Sequence, residues 1–415
     1  MNLPRMFPVR QRFQNLPLDD VTARAIRETR ALLDAMPIRS GAQIAVTAGS
    51  RGIANLPTIL KAVIGELKNR DTRPFLVPAM GSHGGAKADG KVRLLAAMGI
   101  SEELMGAPIR STEMVKKVGE TPAGIPLFLD PEAAAADHIL LVNRVHPHPS
   151  FEGPIQSGLM KMLSVGLGNR PGAEMAHRHS RWEGLGTTIL SMSRTLLELL
   201  PVIGGIGIVE NEKGEVALLK GIAAGKLEEE EKSLLRKSQT MRARIPFQSL
   251  HLLIIDRIGK DIAGTGMDPK VIGRPVETVG AKSPEPRIAR IYARGLTEGS
   301  HGNGHGVGLA DFVHRRLAEA IDWEVTRANS LSASAPERSK LPLVLDSDRE
   351  AFEAAFLTCG PIGETGPRVV RIQDTRHLEE LWVSESLMEE TERNANLDII
   401  EKLDALKFDQ NGMLV

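Results

Sequence analysis

QIAVTAGSRGIANLPTILKAVIGELKNRDTRPFLVPAMGSHGGA, residues 43–86, reads as a strand, a helix and a second strand in close succession. Residues 43–48 are a short apolar run that stops at Gly49, and the apolar residues of 54–69 recur at helical spacing. RPFLVPA, 73–79, is again a run of buried-strand type. A connection this long, containing a helix, suits two parallel strands. The alternation continues through a helical stretch at 90–98, an alanine-rich helix end at 131–136 and the strand HILLVN at 138–143. A parallel sheet with crossover helices is the expected outcome.

Ligands of such sheets gather beyond the carboxyl ends of the strands. Three loops there have unusual composition: AGSRGI (48–53), PAMGSHGGA (78–86) and NRVHPHPSFEG (143–153). Further on come a helix at about 185–200, a glycine-broken strand at 202–209 and a hairpin-like ENEKGEVALL. The charged run LEEEEKSLLRK, 227–237, is expected as a solvated helix face. A fresh strand, LHLLIID at 250–256, opens a second unit with the glycine loops IGKDIAGTGMD and SHGNGHGVGLAD.

The length, 415 residues, exceeds what one compact core usually holds. The expectation is therefore α/β: two α/β domains with mainly parallel or mixed sheets and the active site in the cleft between them. The predicted divisions are 1–245, 246–385 and a helical segment 386–415 that packs back on the first domain.

Lys plus Arg and Asp plus Glu number 52 each, so no whole-protein field favours phosphate backbones or anionic membranes. Aromatic residues amount to only 3%, too few for a base-stacking platform or an interfacial belt. No run of about 18 uninterrupted apolar residues occurs, nor a signal-peptide core at the start. A lone cysteine, Cys359, makes no internal disulfide and suits a reducing compartment. The expected setting is the cytoplasm and the expected partner a small molecule, with neither nucleic acid nor membrane involved; the sequence leaves homo-oligomerisation open.

Five of the eleven histidines, His83, His146, His148, His177 and His179, fall in glycine- or proline-rich loops expected after strands. Imidazole titrates near neutrality and ligates borderline metals, so the group points to acid/base or metal chemistry. In GSHGG the glycines around His83 allow close backbone approach to a ligand, or simply a turn. Arg51 follows the first strand, where a guanidinium and helix amides can bind a carboxylate together. Lys161 stands among apolar neighbours in QSGLMKMLSVGLG, where desolvation leaves a nucleophilic neutral amine. Taken singly, each also has a bland reading as a surface or hydrogen-bonded side chain.

The run HPSFEGPIQSGLMKMLSVGLGNRPGAEMAH (148–177), with GSRGI and PAMGSHGGA, resembles the lactate racemase superfamily in its shorter-chain branch. The resemblance covers most of the chain. It implies a 2-hydroxyacid racemase or epimerase whose cofactor, a nickel-pincer nucleotide, is covalently attached at Lys161. That family places a lysine at the end of an SGGxK-like segment, as SGLMK ends at Lys161, and a nickel-binding histidine sixteen residues later, which is His177 here. Its two catalytic histidines match His83 and His148, and its substrate-carboxylate arginine matches Arg51. A substrate-binding lysine of the second domain corresponds loosely to Lys260 in IGKDIAGTG. Proteins that build the cofactor are implied as transient partners.

The sequence departs from the family pattern in three places. Ala48 stands where the prototype has an aspartate three residues before the arginine. Two extra residues separate FxG from SGLMK, and His146 competes with His148 as the second acid/base. These changes surround the substrate, so a hydroxyacid other than lactate is expected. Two other readings remain: a zinc-dependent hydrolase using His83, His148, His177 or His179, and a non-catalytic hydroxyacid-binding relative. Near the C-terminal glycine loops, His301, His305 and Asp311 read as structural or cleft-lining.

Overall fold

The computed structural model describes residues 3–50, 52–81, 83–149, 151–274, 285–401 and 404–414. The chain divides into two compact units, Asn15–Arg242 on one side and Met1–Gln14 with Ala243–Val415 on the other. The division falls within a few residues of the expected 246, but the first fourteen residues belong with the later unit. The cause is apolar burial: β1 (Arg5–Gln11) buries Phe7 and Val9 in a core it shares with Leu253, Val370 and Leu381.

The unit Asn15–Arg242 is built on β2 (Gln43–Ala48), β3 (Arg73–Pro78), a hairpin of β4 (Lys116–Glu120) and β5 (Pro126–Leu129), then β6 (His138–Arg144), β7 (Val202–Glu210) and β8 (Val216–Ala223). Its main sheet has the order β3-β2-β6-β7-β8. Every pairing is parallel except β7 with β8. Successive residues of β2 face opposite sides, and both sides are covered. Ala45 joins Phe75, Leu141, Ile189 and Leu196 on one side, while Ile44 and Val46 join Ile59, Leu60 and Val63 of the helix Leu56–Lys68 on the other. A sheet buried on both faces needs the continuous apolar runs seen in the sequence.

From β2 the chain moves outward to β3, then returns to place β6 on the opposite side of β2. The order therefore reverses between β2 and β6, and beyond their carboxyl ends lies the place where such sheets bind ligands. All three unusual loops leave from this edge.

Two expectations about helices change. The stretch NRPGAEMAHRHSRWE forms a helix, Asn169–Glu183, with Pro171 in its first turn, where a missing N–H costs nothing. The charged run forms the helix Leu227–Thr240 but is not merely a solvated face, because Leu227, Glu231, Leu234, Leu235 and Ser238 line a buried stripe.

The other unit holds β9 (Ser249–Ile255), β10 (Arg287–Ala293), β11 (Phe312–His314), β12 (Leu343–Leu345), β13 (Val369–Ile372), β14 (Glu380–Ser384), β15 (Leu397–Ile399) and β16 (Asp404–Ala405). Its sheet runs β12-β11-β10-β9-β13-β14-β1-β15, with β16 also on β1. The part from β12 to β13 is parallel, and β14, β1, β15 and β16 add antiparallel pairings. The chain is thus α/β with one mainly parallel and one mixed sheet. The terminal stretch 386–415, expected as a helical segment packed on the first domain, has one short helix, Met388–Arg393, and lays β15 and β16 against β1 within its own unit. Among the described residues no helix is long and apolar enough to cross a membrane.

Candidate functional site

Lys161 closes a single helical turn, Leu159–Lys161, that passes directly into a π-helical turn, Met162–Gly166. The wider turn is marked by the Leu167 N–H donating to the Met162 carbonyl five residues back. Such turns are rare and recur at functional sites. Polar groups drawn from several elements fix it. Asn143, at the end of β6, donates through Nδ2 to the Gly158 carbonyl at 2.8 Å. The Ser193 and Ser164 hydroxyls both donate to the Met160 carbonyl, at 2.7 and 3.0 Å. From the helix Leu227–Thr240 the carboxylate of Glu231 accepts the Met160 N–H at 2.9 Å.

Glu231 is fully buried, and its Oε1 has no hydrogen-bond partner among the described residues. Burial pushes the carboxyl up to about 7, against the pull of the Met160 and Leu159 amides. Its closeness also explains the glycine of SGLMK, since a Cβ at Gly158 would lie 2.3 Å from Glu231 Oε1. Sequence reasoning missed Glu231. Its position four residues after Leu227 and three before Leu234 was the available signal, because that phase puts it on the apolar stripe.

Desolvation lowers the Lys161 ammonium to about 8, so a substantial neutral fraction exists near neutral pH. Its Nζ lies 5.6 Å from the ring centroid of buried Phe151. The other neighbour of that ring is His148, with ring centroids 4.3 Å apart and planes inclined by 32°. The His148 backbone is held by its N–H donating to Gln156 Oε1 at 2.7 Å, and Gln156 Nε2 donates in turn to Glu152 at 3.1 Å. Two residues earlier, His146 pairs antiparallel with Ser157 through both backbone bonds. Burial, then the positive charges of Arg144, Lys161 and Arg242, hold the His146 imidazolium well below its ordinary value. His146 is thus a neutral imidazole at physiological pH.

The structure therefore brings together Lys161, His148, Phe151 and His146. His83 and His177 stand on the backbone elements that flank the same turn. His83 is exposed, just ahead of a short turn at Gly84–Ala86, and this loop is tied to the π-turn by the Gly81 N–H donating to the Gly166 carbonyl at 3.1 Å. Only glycines suit that loop: Gly84 has φ 67°, and a Cβ at Gly90 would lie 2.0 Å from the Gly84 carbonyl oxygen. The helix Asn169–Glu183, which carries a half-buried His177, packs on the π-turn directly. Arg51 lies outside the described residues. Its loop is anchored nonetheless: Arg144 donates to the Gly52 carbonyl at 2.6 Å and pairs with Glu210, whose Oε1 accepts the Ala54 N–H at 2.7 Å.

Lys260 belongs to the other unit. Its ammonium donates to the Gly264 carbonyl within its own loop, and its backbone N–H to the Ser300 hydroxyl. The Ala48 side chain is buried in an apolar cluster with Leu56 and Ile59, where an aspartate would lose its hydration. His305 is buried beside the hydroxyls of Ser330 and Ser339, in keeping with a structural role. His179 Nδ1 bonds the Met175 carbonyl one helical turn back. Among the described residues no three His, Cys, Asp or Glu side chains converge as a metal site, so the zinc-hydrolase alternative finds no ligand set there.

No family model matches this chain and no curated protein matches it. Among solved structures it is similar to the lactate racemase apoprotein from Thermoanaerobacterium thermosaccharolyticum, with a TM-score of 0.50 at 13% sequence identity. The match covers 89% of this chain and 98% of that one. At such low identity the likeness establishes a shared fold over nearly the whole length.

Proposed function

We propose that the chain is a lactate-racemase-like isomerase that inverts the hydroxyl-bearing C2 of a 2-hydroxyacid by proton-coupled hydride transfer. The cofactor in this reading is a nickel-pincer nucleotide held covalently by Lys161 and ligated by His177. The observation that carries it is the Lys161 amine, lowered to about 8 and mounted on a π-turn beside the Phe151 ring, which His148 also contacts. An amine that is partly neutral at physiological pH can form a stable amide-type bond, whereas a fully hydrated ammonium is a poor nucleophile.

The residues present suit the group. A pincer that brings one carbon and two sulfur donors to square-planar nickel asks the protein for a single nitrogen. One histidine on the helix beside the tether meets that demand without a three-residue cluster. When bound, the group supplies a site that takes a hydride from C2 and returns it.

The chain's own residues take the following roles in this reading. His148 accepts the hydroxyl proton of one enantiomer as the C–H bond breaks, and His83 serves the other. His148 suits the role better than His146, whose protonation burial and three cations oppose. Arg51 is the proposed carboxylate ligand. Ala48, standing where the family pattern has an aspartate, is the ground for proposing a substrate other than lactate, a larger or more polar 2-hydroxyacid. Cofactor-building proteins are required as transient partners.

The test is a set of single-enantiomer 2-hydroxyacids incubated with cofactor-loaded protein and resolved by chiral chromatography. At least one acid should yield its opposite enantiomer or epimer, and His148→Asn should slow this by about a hundredfold or more, the usual worth of general acid/base assistance. Tight hydroxyacid binding with no interconversion would instead identify a non-catalytic relative.

A further inference from the structure

The sheet of the other unit has a reversal of its own. From β9 the chain adds β10, β11 and β12 on one side, then places β13 on the opposite side of β9. The strands β9, β10 and β13 are parallel, so their carboxyl ends open a crevice of the kind that holds ligands. A cavity of about 710 Å³ lies there, within the size range of small-molecule sites.

Four guanidiniums line this cavity: Arg257 after β9, Arg294 after β10, Arg316 in the turn after β11 and Arg371 on β13. They are arranged rather than scattered. Asp256 accepts from Arg294 Nη1 at 2.6 Å and from Arg371 Nε at 3.0 Å, and so braces the two against each other. Arg294, itself buried, is held from behind by Asp348, which accepts from its Nε and Nη2 at 2.9 and 2.8 Å and is wholly buried. Arg316 is pinned through Nε to the Arg294 carbonyl at 2.8 Å. Among the described residues the terminal amino groups of Arg316 and Arg371, and the whole Arg257 guanidinium, take no hydrogen bond from the protein.

Charge does not balance in the crevice. Glu380, also at its wall, is engaged by Arg10 at 2.7 Å, which leaves the carboxylates of Asp256 and Asp348 against four guanidiniums and a surplus of two positive charges. Beside the arginines stand Leu296, Ile372 and Trp382, the last 41% exposed and cross-strand from Arg371. Forked guanidiniums match tetrahedral oxyanions, and an indole face accepts a flat or apolar group.

We infer that this crevice binds a small organic phosphate, a dianionic monoester whose phosphoryl oxygens meet Arg257, Arg316 and Arg371 while its organic part lies on Trp382. Neither the fold likeness nor the proposed isomerase reaction assigns this site. It stands apart from the Lys161 chemistry and does not depend on it.

The test is calorimetric titration of the full chain with phenyl phosphate, inorganic phosphate and benzoate at low and moderate salt. Phenyl phosphate should bind most tightly and benzoate most weakly, with affinity falling as salt rises. Arg257→Gln and Arg371→Gln should each weaken phenyl phosphate about tenfold or more, the usual worth of a bond to a charged group. The exposed Arg257 side chain donates no hydrogen bond to the described residues, so its variant keeps the fold and the test holds even if Arg371→Gln does not fold. The inference is overturned if the native chain shows no saturable phosphate binding, if Arg257→Gln binds as the native chain does, or if benzoate binds as tightly as phenyl phosphate.

Discussion

Half-buried Lys161 and wholly buried Glu231 are ionisable groups on neighbouring elements, and each carries a pH signature. Because the Lys161 ammonium is lowered from 10.5 to about 8, its acylation by an amine-reactive ester should climb through pH 8. Peptide mass mapping after brief labelling at pH 8 reads this directly; Lys161 reacting no faster than surface lysines would contradict it. Glu231 works in the opposite direction. Its carboxyl is raised from 4.5 to about 7, so the folded state keeps a proton that the unfolded chain has lost. Stability should be greatest below pH 4.5, decline as pH rises to 7 and level off above, by at most about 3 kcal/mol at 1.36 kcal/mol per unit. Glu231→Gln should flatten that decline in denaturant midpoints at pH 5 and pH 8, and an unchanged slope would remove Glu231 as its source. Of the two residues, Lys161 was legible in the sequence through its apolar neighbours and its spacing to His177. Glu231 was hidden in a row of four glutamates, where only helical phase separates the wholly buried one from the three that are exposed or partly so.

Among the elements, the turn that presents Lys161 has little packing freedom, with Asn143, Ser164, Ser193 and Glu231 bound to the backbones of Gly158 and Met160. Gly158→Ala forces a methyl against the Glu231 carboxylate, and overpacking of this kind costs about 1–3 kcal/mol. The variant should unfold at lower denaturant and lose the raised Lys161 reactivity together; native stability and native labelling would show that the glycine is incidental. The strand and helix pattern of 43–86 was readable because continuous apolar runs and a 3.6-residue period are different signals. The helix Asn169–Glu183 was harder to see. Its opening GNRPG looks like loop punctuation, and burial of Ala173 and Ala176 gives its apolar side too little bulk to register. The π-turn has no sequence period of its own.

At the level of the whole chain, α/β class and two units followed from length and from two separate successions of strand runs, and a boundary near 246 was readable from the fresh strand at 250. The placement of residues 1–14 was not, since β1 is stabilised by partners more than 370 residues away, such as Val383 opposite Phe7. No local pattern encodes a pairing of that separation. The same limit applies to the arginine crevice, whose four members are spread from 257 to 371 and meet only because β9, β10 and β13 lie side by side. The proposed tether, by contrast, rests on one contiguous stretch, and its chemistry can be read on the intact molecule. Protein made together with the cofactor-building enzymes should carry, in intact mass spectrometry, an added nickel-pincer nucleotide that maps to Lys161 and is absent from Lys161→Ala. An unmodified native mass under those conditions, or an adduct that survives Lys161→Ala, would contradict the account.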